Sequence, residues 1–495
     1  MGTVMRGAGL SGAGYVLAQA INLGVYIVLA RLLAPSEFGV FAAASVFVGL
    51  TILFTESGFV SAVVQRRDRF EEAANTALVA TLVNGVVFAL LALAVAPLLG
   101  LFFEADQVTS IAAAMSGVVL LRIASAVPDA ILQRRFSFLR RLAIEPAQVL
   151  AFGTAAIIGA SNGMGAWALV LGTYAGTAVD VVLSWALVRW RPAPRLASMA
   201  MWRELVGFGR HVFVATAILR AGELSDTLIV GRVLGSAALG QFRYAFRLAA
   251  APFMLLLATA SYVLFPAFAR IAHDPERHQP AFLRSLRWMS ILGFPAGLIL
   301  IPMGVPIAVV VFGEVWRDAG EAAMAMCLYT GASMVTSVVS EALKAHGTPN
   351  RLVRMHTVTT VVTAGSMLAL SPLGLTAAAA GMSIGSAAGA VFAVRTAHRT
   401  LAVPWRDITR QLAGPAFAAL VMAFAVLPLE LAIDAESHAT APALALLAAE
   451  AAVCTAVFLG VLRVIAPAAF AELPWAIGSL RRRLSRRGTD PTPTP

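Results

Sequence analysis

Charge is what this sequence has least of. Only 13% of its 495 residues are Asp, Glu, Lys or Arg, whereas 59% are hydrophobic and the mean hydropathy is +0.82. A globular chain carries about 25% charged residues, so too little polar surface exists to cover a water-facing exterior, and a soluble enzyme is excluded. Lysine is nearly missing, with Lys344 alone beside the arginines. Ala345 follows it, so the Gly-Lys-Ser/Thr of a phosphate-binding loop cannot be written and ATP hydrolysis by that route is excluded. The two cysteines, Cys327 and Cys454, lie inside apolar runs, which removes a disulfide framework and a thiolate metal site. Histidines sit mostly in connections or near the ends of apolar runs and form no pair at helical spacing, so neither a metal nor a cofactor is expected.

What is present is a succession of apolar runs. A membrane-crossing helix needs roughly 20 mainly apolar residues, and lipid forbids unsatisfied backbone groups, so each run reads as a helix. The fold expected is an all-α polytopic membrane protein of about 14 spans. In the first half the runs cover 8–30, 38–64, 76–101, 108–131, 142–160, 164–188 and 211–234. In the second they cover 237–263, 288–312, 322–343, 355–371, 373–394, 412–433 and 442–465. Ala18-Gln19-Ala20 offers signal-peptidase spacing, but the apolar stretch continues through Ala30, too long for a leader, and reads as an uncleaved first span.

Arginine placement orients the chain. Arg66, Arg67 and Arg69 follow span 2, Arg134, Arg135, Arg140 and Arg141 follow span 4, and Arg189, Arg191 and Arg195 follow span 6. Later even-numbered spans and the tail, with Arg481, Arg482 and Arg483, repeat the pattern, while the opposite side shows only Arg31, Arg232 and Arg317. By the positive-inside rule both termini are cytoplasmic, and the formal charge of +11 is topological, with no nucleic acid implied. Every connection is short, the longest running from Leu264 to Arg287. The tail beyond Pro467 reads as a membrane-surface helix followed by a disordered Pro/Thr end.

The sequence also repeats itself. A shift of 201 places Arg31, Leu33, Gly39 and Phe41 on Arg232, Leu234, Gly240 and Phe242. A shift of 209 places Pro97 on Pro306, Gly165 on Gly374, Gly172 on Gly381 and Gly176 on Gly385. Spans 1 to 6 and 7 to 12 are therefore expected to be parallel repeats about an axis along the membrane normal. The expected organisation is a first lobe over 1–196, a second over 197–411, two additional helices over 412–466 and a basic cytoplasmic tail over 467–495. Gly172, Gly176, Gly381 and Gly385 follow the small-xxx-small spacing of close helix packing.

Intramembrane charge is costly, about 2.5 to 3.5 kcal/mol at a helix centre on insertion scales, and so marks candidate function. Span 7 carries Arg220, Glu223 and Asp226 at spacings of three, and span 8 carries Arg243 and Arg247 one turn apart. At about 1.5 Å per residue from their shared outer turn, Asp226 matches Arg243 in depth and Glu223 matches Arg247. Two readings stand. The arginines grip a pyrophosphate or acidic sugar through forked guanidinium donors, or they form a structural ion-pair ladder. In the first repeat Gln19 and Asn22 occupy the positions of Arg220 and Glu223 and are counted with the substrate-binding set. Glu56, Arg122, Asp129 and Asp180 lie nearer the cytoplasmic half, as an inner gate, a cation site or structural pairs.

The segment Ala30-Arg31-Leu32-Leu33-Ala34-Pro35-Ser36-Glu37-Phe38-Gly39 resembles an opening found in a known family. So do Asp226 to Gly235, Leu239-Gly240, Phe265-Pro266-Ala267-Phe268 and Phe312-Gly313-Glu314-Val315-Trp316. Together they resemble the polysaccharide-transport, Wzx-like branch of the MOP exporter superfamily over roughly residues 5–465. Gln241, straight after Gly240, departs from the family's pattern. The resemblance implies two six-helix lobes around a central cavity plus two further helices, working by alternating access. It also implies a flippase, not an enzyme, moving an undecaprenyl-pyrophosphate-linked oligosaccharide across the bacterial inner membrane for surface polysaccharide assembly. Partners implied are that lipid-linked oligosaccharide, membrane lipids, a polysaccharide polymerase and glycosyltransferases. The alternatives are a cation-coupled small-molecule exporter resembling the MATE branch and a membrane enzyme of polysaccharide assembly, the second disfavoured by the small outer loops.

Overall fold

A computed structural model describes residues 2–49, 68–134, 143–272, 274–433, 438 and 440–472. Every regular element among them is helical. The helices, in order, are α1 (Gly2–Leu32), α2 (Pro35–Ala44), α3 (Phe70–Phe103), α4 (Asp106–Arg134), α5 (Glu145–Ser161), α6 (Ala166–Val188) and α7 (Met199–Ile271). They continue as α8 (Pro275–Leu298), α9 (Leu300–Ile307), α10 (Arg317–Ala325), α11 (Leu328–Ala345), α12 (Pro349–Leu370) and α13 (Leu375–Leu401), then α14 (Trp405–Ile433), α15 (Thr440–Ile465) and α16 (Pro467–Phe470).

Six of these, α3, α4, α6, α13, α14 and α15, are long and apolar enough to cross a membrane. Two broken pairs, Glu276–Leu298 with Leu300–Phe312 and Glu314–Ala325 with Leu328–Ala345, would bring the number to eight. Burial within α3 shows the solvent these helices expect. Its inward positions are small, Ala73, Ala77, Ala89, Ala92 and Ala96, while Val83, Leu90, Leu98 and Leu101 point outward, Leu101 at 74% exposure. Water would penalise that arrangement. Lipid accepts it, because apolar bulk gains nothing by facing inward there and small residues let backbones approach. The chain is a multi-span helical membrane protein.

Local signals set the element ends. Pro35 occupies the first turn of α2, and Glu37 reaches back to accept the Ala34 N–H at 2.7 Å, so the Ala-Pro-Ser-Glu motif is a helix start. Gly235, at φ 82°, breaks α7 into two helical segments, a conformation that disfavours any residue with a Cβ. The connection expected from Leu264 to Arg287 is mostly helical instead: α7 runs to Ile271 and α8 begins at Pro275. Asp274 caps that start by accepting the Arg277 N–H at 3.3 Å.

Packing divides the chain into two compact units. The first contains Met1–Leu248, Ile307–Met326 and Val353–Ala388, and the second Ala249–Pro306, Cys327–Leu352 and Gly389–Pro495. In the first, α3 packs on α4, α5 on α6, α4 on α6 and α1 on α5. Gly172 and Gly381 lie where helices touch: a Cβ at Gly172 would stand 2.7 Å from the Phe152 carbonyl oxygen, and one at Gly381 2.7 Å from the Met367 nitrogen. In the second, α8 packs against α11 and α14, and α14 against α15.

Candidate functional site

The candidate site lies in the first unit, where α1 meets the second segment of α7. Arg247 is its centre. Its Nη1 donates to Asn22 Oδ1 at 3.2 Å, and its guanidinium carbon stands 3.3 Å from the centroid of the Tyr26 ring and 5.9 Å from that of Tyr244. The stacked face is worth about 0.5 to 2 kcal/mol by cation–π attraction. Tyr244 in turn donates its hydroxyl to the Tyr26 carbonyl at 3.0 Å, fixing the backbone that carries the stacking ring. Arg247 Nε is buried with no hydrogen-bond partner. A buried donor left without an acceptor costs about 1 to 3 kcal/mol, which an incoming anion would recover.

Asp226 is 5% exposed, and its Oδ1 accepts from the Thr227 amide at 2.6 Å and hydroxyl at 3.2 Å. Its Oδ2 lies 3.9 Å from Arg243 Nη1, a charge pairing without a hydrogen bond. The pairing expected across the α7 hairpin is thus present for these two residues and loose. Arg243 keeps 43% of its side chain exposed, leaving donors for another acceptor. Arg220 is half-buried one to two turns before Asp226 on α7, Gln19 is exposed on α1, and the Glu223 side chain lies outside the described residues.

The second candidate set is more dispersed. Asp129 on α4 accepts from Ser184 Oγ on α6 at 2.8 Å, Arg122 and Asp180 are half-buried on the same two helices, and Glu56 lies outside the described residues. Among the described residues no group of three or more His, Cys, Asp or Glu side chains is placed to hold a metal ion.

A dense contact lies at the C-terminal end of α1. Arg31 Nε and Nη2 donate to the Val311 and Val310 carbonyls, and Trp316 Nε1 donates to the Ala30 carbonyl at 2.8 Å. Gln241 clamps the same turn from the other side, donating to the Val315 carbonyl at 2.6 Å and accepting from the Ala319 N–H at 3.0 Å. Its departure from the family pattern therefore supplies a two-way amide tie. Phe38, Phe312 and Trp316 surround Tyr244 with ring centroids 3.9 to 5.0 Å away. Arg232 pairs with Glu104 at 2.8 Å and Arg317 with Glu314 at 2.7 Å.

Two helix turns meet here reciprocally. A Cβ on Gly39 would overlap the Ser236 carbonyl oxygen, and a Cβ on Gly240 would overlap that of Pro35. Pro35 and Ser236 are separated by the same 201 positions as Gly39 and Gly240.

Sequence reasoning passed over Tyr26 and Tyr244, the rings that hold Arg247. The available signal was spacing: Asn22 and Tyr26 lie at i, i+4, and Tyr244 lies three residues before Arg247, so each pair shares a helix face.

Comparison with known proteins gives a consistent picture. The family model described as "Polysaccharide biosynthesis protein" matches residues 28–321. The succinoglycan biosynthesis transport protein ExoT of Rhizobium meliloti is 28% identical over 334 residues, 64% of this chain and 64% of the relative. The lipopolysaccharide biosynthesis protein WzxC of Escherichia coli is 25% identical over 326 residues, 66% of each. The matched stretch thus spans just under two thirds of those relatives' own lengths. Among solved structures, the lipid II flippase MurJ in an inward closed conformation superposes with a TM-score of 0.75 at 13% identity, covering 92% of this chain and 98% of that one. An inward-facing MATE multidrug transporter of the MOP superfamily superposes at 0.58 and 14% identity, covering 79% of this chain and 94% of that one.

Proposed function

This chain belongs to the polysaccharide biosynthesis protein family, and from that premise we propose that it is a flippase moving a lipid-linked oligosaccharide across the bacterial inner membrane for surface polysaccharide assembly. The observation that carries the reading is Arg247, stacked and hydrogen-bonded into place with a buried guanidinium donor still unsatisfied. A phosphate oxygen matches such a donor, and the forked geometry of Arg243 and Arg220 suits the remaining oxygens of a pyrophosphate. ExoT and WzxC carry polysaccharide biosynthesis in their names and MurJ is a lipid II flippase; the substrate class proposed is the chemistry those names share.

The same reading arranges the chain as fourteen spans with cytoplasmic termini, two six-helix lobes over 1–196 and 197–411, and α14 with α15 as additions. Reciprocal glycine contacts at Gly39 and Gly240 support the lobes, since a pseudo-two-fold relation makes each turn meet the other in the same way. Coverage supports the two additions. The MurJ fold covers 92% of this chain and the MATE fold 79%, and the difference, about 64 residues, is close to the length of α14 and α15 with their connection. A soluble drug needs no such helices, whereas a lipid tail needs a path between helices, which favours the flippase over the MATE-like exporter. A polymerase and glycosyltransferases are the partners that would consume the product and supply the substrate. With no phosphate-binding loop, energy comes from an ion gradient, the membrane potential or product consumption.

Arg220→Ala tests the anion site. Glycan export in cells lacking the native protein should be abolished while protein abundance stays near normal, and Arg220→Lys should restore it only in part because the fork is lost. Normal export by Arg220→Ala makes the residue structural.

A further inference from the structure

α14 and α15 bury a carboxyl that nothing in the substrate site uses. α15 packs through one stripe, including Ala443, Leu447, Glu450, Cys454 and Phe458, at the three-and-four spacing of a helix face. Glu450 sits in its middle, 1% exposed, and neither carboxyl oxygen has a hydrogen-bond partner. At about 1.5 Å per residue it lies about 15 Å from the start of α15, near the midplane of a hydrocarbon layer about 30 Å thick. Counting the same depth back along α14 from its end at Ile433 reaches Ala423, in a buried face with Ala418, Ala419, Met422 and Val426. Titratable groups on the packed elements are few. Cys454 is one turn along α15, Glu430 is two turns nearer the connection on α14, Arg406, Asp407 and Arg410 are at the far end of α14, Arg463 is near the end of α15, and α16 has none.

An ionised carboxylate in this position would have neither a donor nor a counter-charge, at a cost of several kcal/mol. A metal cation is no remedy, because it requires several oxygens and the buried residues of α14 at this depth are alanine, methionine and valine, with Glu430 two turns away. A proton requires one. We propose that Glu450 is a proton-binding site in the α14–α15 hairpin, which takes H⁺ from water on one side of the membrane and releases it on the other as the hairpin contact opens and closes. One proton is transferred from water to a Glu450 oxygen and returned, and no other bond changes. The site's role in driving transport rests on the flippase reading; its occupancy by a proton does not.

The test uses the full-length protein in lipid nanodiscs with N,N′-dicyclohexylcarbodiimide, which modifies carboxyls that hold a proton in an apolar setting. Mass spectrometry should find Glu450 modified at neutral pH, with the modified fraction falling as pH is raised and the adduct missing from Glu450→Gln. An unmodified Glu450 at every pH overturns the proposal. In vesicles carrying a fluorescent lipid-linked oligosaccharide, reversing an imposed pH gradient should change the wild-type rate several-fold and leave Glu450→Gln unchanged, with Glu430→Gln retaining the response. A gradient response retained by Glu450→Gln overturns the coupling role. If wild-type vesicles flip nothing, the flippase reading fails and the labelling alone decides the site; it also decides if Glu450→Gln does not fold.

Discussion

Arg247 is held by two different interactions, and they can be separated by substitution. Its guanidinium face needs the Tyr26 ring and its Nη1 needs the Asn22 oxygen. Tyr26→Phe keeps the ring and should export glycan at nearly the wild-type rate. Tyr26→Leu removes about 0.5 to 2 kcal/mol of cation–π attraction and should lower export several-fold, with abundance maintained. Arg247→Lys should fall further than Tyr26→Leu, because an ammonium neither stacks as a plane nor presents a fork. Equal export by Tyr26→Leu and wild type would show that the stacking is idle. Asp226 differs in kind: it accepts from the Thr227 amide and hydroxyl, so it anchors its own helix turn as well as facing Arg243.

Between elements, the reciprocal approach of the Pro35–Gly39 and Ser236–Gly240 turns makes a specific demand. A methyl group at either glycine meets backbone rather than a yielding side chain, and such overpacking costs about 1 to 3 kcal/mol. Gly39→Ala and Gly240→Ala should each lower the thermal midpoint. The double variant should lose less than the sum, because turns already forced apart by one methyl accommodate the second. Full additivity in a thermal-shift series would mean that the two contacts are independent. At the α8–α11 end, His278 is 2% exposed beside His346, ring centroids 4.5 Å apart. Burial, and then repulsion from His346, lowers its pKa from 6.5 to about 4. The unfolded chain therefore binds the proton more readily, so this residue's contribution to stability is complete above about pH 6.5 and lost as pH falls through about 4. His278→Phe should flatten the acid-side decline of the melting midpoint across that window, and an unchanged slope would contradict the assignment.

For the whole molecule, the sparse arginines of one side and the dense arginines of the other imply a definite orientation. Cysteines introduced at Ser137 and Arg399 should react with an impermeant thiol reagent only from the cytoplasm, and one at Ser437 only from outside. Cytoplasmic labelling at Ser437 would remove the fourteen-span arrangement. The membrane assignment itself stands on the inside-out packing of α3, in which alanines face protein and leucines face lipid.

The sequence by itself determined where helices lie, since crossing lipid requires a run of apolar residues that is local and countable. The expected span 164–188 is observed as Ala166–Val188, and 412–433 lies within Trp405–Ile433. It also determined the hairpin that brings Asp226 toward Arg243, because depth along two helices sharing a turn follows from residue number. The tertiary structure decided what each of those depths faces. That Tyr26 and Tyr244 enclose Arg247, that Gln241 ties down the Val315–Ala319 turn, and that Glu450 ends without a partner all depend on helix rotation. Rotation about a helix axis is set by side chains far away in the chain, and in lipid the hydrophobic pattern that would reveal it in water is missing, because both faces of a crossing helix are apolar.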